Sequence, residues 1–263
     1  VALMAIGAFT SCSDEFLQDK KNYDYVDAST YNTFSGAKAR VDDIYAWCLP
    51  NTSSEPSWKY NSTGAADLQS KSTEEYSGFG SFVDPDAPMT SQSGNNTVPD
   101  YFHNSGNNIQ ASVWGRIRNC NDVIYGIENS TLSEEEKNEL LGQVYFFRAW
   151  WHFELMTYWG GLPYIDQVLD ATQELTLPRL SYQECADKAA ADFRKAADLL
   201  PVDWDKTSTG KATEGKNQLR INKIMALGYL GKNYLWAGSP LMKNGAQLGG
   251  ANTYNYDEEY CKK

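Results

Sequence analysis

Apolar residues return every three to four positions in five separate stretches of this chain, the spacing that lines one face of an α-helix. Phe34, Ala37, Val41, Ile44 and Cys48, with Tyr45 alongside, predict a first amphipathic helix ending near Pro50. Val113, Ile117, Cys120, Ile124 and Ile127 predict a second. The third opens at a capping box, Ser133 with Glu136, and runs to about Trp159, where Gly160, Gly161 and Pro163 stop it. Another capping box, Ser181 with Glu184, opens the fourth, whose stripe of Tyr182, Ala186, Ala189, Phe193, Ala196 and Leu200 is closed by Pro201. The fifth covers roughly Arg220 to Gly238, and its Ala226, Gly228 and Gly231 are small enough to let a neighbouring helix approach closely. No stretch alternates convincingly as a strand, so the fold class is mostly α. Helices two and three, then four and five, read as successive antiparallel pairs, the unit of tetratricopeptide (TPR) solenoids, although the spacing is no clean repeat. The expected architecture is a TPR-like helical superhelix with a long irregular loop region.

That loop region is residues 49–108, where helical periodicity stops. Connections of this length are uncommon in compact domains and are usually functional or disordered. Composition favours function: Trp58, Tyr60, Tyr76, Phe79, Phe82, Tyr101 and Phe102 alternate with Asp67, Gln69, Asn95, Asn96 and Asn107, whereas disordered linkers are poor in aromatics. Flat rings beside amides and carboxylates suit a carbohydrate site. The ring packs on the C–H face of a pyranose while the polar groups bond its hydroxyls. Trp58, Tyr60 and Tyr101 are the expected stacking platforms, and Asp67, Asn95 and Asn96 the expected hydroxyl partners. The competing reading is that these aromatics anchor a long loop onto the helices.

The other interruption lies at the start. Val1 to Phe9 is uncharged and apolar, like the middle of a secretory signal, and the chain turns acidic directly after Cys12. The run is too short to span a bilayer, which takes roughly 20 apolar residues. Residues 1–11 are therefore read as the remnant of an export signal. Cys12 could be a core thiol, half of a disulfide or an attachment point. Thr10 and Ser11 before it resemble a bacterial lipobox, in which the cysteine carries lipid, and this favours attachment.

Composition narrows the function. The 263 residues are 41% hydrophobic and 13% aromatic, enough for a real core, and the formal charge of −11 opposes polyanionic partners such as nucleic acid. Apart from Cys12 there are Cys48, Cys120, Cys185 and Cys261, with no metal-ligand spacing. Buried thiols are the favoured reading, and disulfides stay possible outside the cytoplasm. The aromatic run 148–163 marks a helix buried all round; within it His152 and Glu154 read as satisfied polar groups and Arg148 as a buried ion-pairing or backbone-bonding residue. Phosphate loops, metal motifs and a nucleophile elbow are absent, so no catalytic residue, metal or cofactor is assigned.

Taken in order, "TSCSDEFL", "ARVDDIYAW", "VWGRIRNCNDVI", "GQVYFFRAWWHFELMTYWGGLPYI", "LPRLSYQECADKAAADFRKAADLLP" and "INKIMALGYLGKNYLWAGSPL" resemble the SusD/RagB family of outer-membrane nutrient-binding lipoproteins. The resemblance implies a TPR-like superhelix carrying an irregular ligand-binding part. It implies capture of oligosaccharides without cleavage, beside a SusC-like TonB-dependent transporter. It further implies lipidation at Cys12, surface display signalled by Asp14 and Glu15, and a chain that continues past residue 263. The expected domain plan is a signal remnant at 1–11, a lipidated tether at 12–29, and a helical domain at 30–263, incomplete at its C-terminus, with the 49–108 insert. Two other readings are a helical scaffold that binds a protein or peptide, and a glycoside hydrolase, which would need two carboxylates facing across a cleft.

Overall fold

The computed structural model describes residues 28–46, 113–170, 172, 176–243 and 255–263. A short 3-10 helix, Ala28–Asn32, leads into α1 (Phe34–Ala46). Then come α2 (Val113–Glu128), α3 (Glu134–Trp159), α4 (Tyr182–Leu199) and α5 (Lys223–Ala237), followed by the short α6 (Pro240–Lys243) and α7 (Glu258–Lys262). Among the described residues there is no strand, and no helix is long and apolar enough to cross a membrane.

Consecutive helices pack side by side and alternate in direction. Tyr145 near the middle of α3 donates to Glu128 at the end of α2, at 2.7 Å, whereas Arg148 further on reaches back to Asn121, at 2.9 Å. Phe193 stacks near Tyr229, and Asn233 donates to the carbonyl of Ala186, at 2.8 Å, so α4 and α5 also run antiparallel. The pairing expected of a TPR-like superhelix is therefore present. At the centre lies α3, in which every residue from Glu139 to Met156 is buried. Its neighbours α1, α2 and α4 cover it on different sides, and Phe146 and Phe153 meet α5 through Tyr229. Trp151, Phe153 and Met156 are each no more than 1% exposed, as a helix apolar all round requires.

Both capping boxes form as the sequence dictates: the Ser133 and Ser181 hydroxyls accept from the N–H groups of Glu136 and Glu184, whose carboxylates return the bond. Gly160 ends α3 at φ 71°, a conformation only glycine adopts at low cost, and a Cβ at Gly161 would run into the Leu180 carbonyl. The fifth helix differs from expectation in two ways. It starts at Lys223, because the Asn222 side chain caps it by accepting from the Met225 N–H; Arg220 lies outside, bonded to Gln143 and Asp42. Moreover, Gly228 and Gly231 receive none of the described helices. A Cβ at either would meet nothing within 4 Å among the described residues, while the buried residues of α5, on the opposite side, are Ala226, Leu230, Asn233 and Ala237, of which Asn233 reaches Ala186 of α4.

Candidate functional site

All the ligand residues expected from sequence, Trp58, Tyr60, Asp67, Asn95, Asn96 and Tyr101, and the anchor Cys12, lie outside the described residues, as does Cys48. What the structure provides is the mount of the insert. Arg40 of α1 donates to Asn119 of α2, at 3.2 Å, and Asn32 before α1 accepts from Thr131 after α2, at 3.2 Å. The two helices are thus antiparallel, and the end of α1 and the start of α2 lie at the same end of the pair. The chain between them leaves and returns there. The C-terminal half of α3 reaches the same end, with the Arg116 guanidinium 5.6 Å from the Trp151 ring centre.

The point of departure is held by a polar lock. The Tyr45 hydroxyl donates to Gln143 Oε1 at 2.7 Å and accepts from the Ile221 N–H at 2.9 Å. Arg220 donates to the same Gln143 oxygen, at 3.0 Å, and to Asp42, at 2.8 Å. Tyr45 also meets Phe147 edge to face, with ring centres 4.7 Å apart. Side chains from α1, α3 and the segment before α5 therefore converge at Tyr45, four residues before the insert begins. At the point of return, Val113 is buried whereas Trp114 is 40% exposed. Further along the same outward side Tyr125 is 54% exposed. These two aromatics were not singled out in the sequence. The signal for them was that they fall off the Val113, Ile117, Cys120, Ile124, Ile127 stripe.

A second polar cluster rigidifies the centre. Arg148 grips Asp192 of α4 through two bonds, at 2.8 and 2.6 Å, and donates to Asn121 of α2 and to the Asp166 carbonyl, both at 2.9 Å. Tyr164 donates to the same Asp192, at 3.1 Å. Burial alone would favour a neutral guanidine, but the paired carboxylate outweighs it and Arg148 stays charged. His152, fully buried, faces the Arg148 carbonyl through Nδ1 at 2.8 Å, accepts the Ile165 N–H at Nε2 at 3.1 Å, and stacks on Tyr164 with ring centres 3.7 Å apart. Burial pulls its pKa down to about 3. The expected structural roles of Arg148 and His152 are what the geometry gives them: they staple residues 164–166 to the bundle.

Cys120 and Cys185 are buried free thiols; burial pushes Cys120 up to about 12, and Cys185 donates to the Leu162 carbonyl at 3.2 Å. Cys261 is exposed. Among the described residues no group of three or more His, Cys, Asp or Glu side chains could hold a metal ion.

Comparison with known proteins gives this mount a context. Residues 15–235 match the SusD-like family described as starch-binding and associating with the outer membrane. A SusD-like protein of Bacteroides fragilis aligns with a TM-score of 0.58 at 24% identity, over 86% of this chain and 37% of its own. A SusD-like carbohydrate-binding protein of the same organism aligns at 0.54 and 21%, over 78% and 37%. A laminarin-binding SusD-like protein aligns at 0.53 and 17%, over 78% and 40%. The chain thus spans well under half the length of these solved structures, and their likeness to it is one of fold. Among curated proteins none matches. With 15–235 covering four of the five long helices whole and most of the fifth, together with the insert, the chain belongs to the SusD-like family.

Proposed function

We propose that this protein is a lipid-anchored, surface-exposed receptor that captures oligosaccharides and passes them uncleaved to a SusC-like TonB-dependent transporter in the outer membrane. The observation that carries this reading is the SusD-like match over residues 15–235, which includes the whole aromatic insert. The fixed mount supports it: a ligand site that leaves and returns at one locked end of a helix pair starts from a rigid base. Trp58, Tyr60 and Tyr101 serve as stacking platforms and Asp67, Asn95 and Asn96 as hydroxyl partners. Exposed Trp114, in the first turn of α2, offers a further ring for stacking.

Stacking of one sugar face on a ring contributes about 1–2 kcal/mol, roughly a tenfold change in affinity. Calorimetry of the full chain against maltoheptaose and laminarin oligosaccharides tests the reading. Trp58→Ala should weaken binding about tenfold, and Trp114→Ala should weaken it in the same direction, with helicity unchanged by circular dichroism. A bound glycan that none of these substitutions weakens by more than about twofold places the site elsewhere. Shortened sugars appearing during the titration would point to hydrolysis instead.

A further inference from the structure

No further inference is drawn: the strongest candidate, the outward apolar face of α5 formed by Ile224, Leu227, Gly228, Gly231 and Leu235, carries nothing because nothing in the structure shows what covers it.

Discussion

At the scale of single residues, the buried pair Arg148–Asp192 and the neutral His152 make opposite demands on protons. Removing one partner of a buried ion pair leaves the other charge uncompensated, a loss of about 3–5 kcal/mol. Arg148→Met should therefore destabilise the fold by that amount in denaturant titration. Adding Asp192→Leu should recover part of it, because the stranded carboxylate is gone. His152 contributes through pH. In the unfolded chain it takes up a proton near its ordinary pKa of 6.5, but folded it refuses one until about pH 3. The unfolded state thus binds more protons across that interval, and stability falls as pH drops below 6.5, by up to about 1.4 kcal/mol per pH unit. Glu139 works the other way, since burial raises its pKa and the folded state holds its proton more tightly. The wild type should accordingly lose more stability than His152→Gln between pH 6.5 and 5, and equal slopes for the two would refute the assignment. His103 is the other histidine of the chain, so His103→Gln is the control.

At the scale of elements, what the sequence made legible was whatever is settled within one or two turns. The boxes at Ser133 and Ser181 close over three residues, and the stop at Gly160 depends on one positive φ, so both were readable without knowing the neighbours. The role of Gly228 and Gly231 was not. Small residues invite a close neighbour in general, but which side of α5 receives α4 is decided by Asn233 reaching Ala186 and by Phe193 stacking on Tyr229, contacts made across more than thirty positions of sequence. The start of α5 was misread for the same reason: Arg220 has the propensity to extend the helix, yet bonds to Gln143 and Asp42 take it elsewhere. Because a Cβ at either glycine meets nothing among the described residues, Gly228→Ala and Gly231→Ala should each stabilise the fold by about 0.5–1 kcal/mol in chemical denaturation. A loss of stability on either change would mean that something sits against that face in solution. Leu227→Lys with Leu235→Lys, both exposed, should leave helicity intact and lower any self-association seen by light scattering.

At the scale of the whole molecule, the functional reading joins three parts with different physical demands: a helical body, an aromatic insert and an N-terminal attachment. The candidate ligand residues were legible as chemistry, rings beside amides, but not as geometry. Aromatic and polar side chains without periodicity say what they can touch and not where they point. The body fixes only the base from which they start, at Tyr45 and Val113. The proposed attachment would add a constraint on where such a receptor acts. A molecule of formal charge −11 gains no electrostatic hold on an anionic membrane surface, so stable residence there needs a hydrophobic device. Among the described residues no helix supplies one by spanning the bilayer. Acyl chains on Cys12 would: each buried CH₂ contributes about 0.8 kcal/mol, and more than one chain is needed for stable anchoring. Expressed in a lipoprotein-processing host, the protein should therefore incorporate labelled palmitate and partition with the outer membrane. Cys12→Ala should abolish the label and release the chain from the membrane fraction, without changing its helicity. Equal labelling of the variant would refute attachment at Cys12. If the label is lost but the protein still sediments with membranes, its contact with a membrane partner, and not the lipid, holds it there.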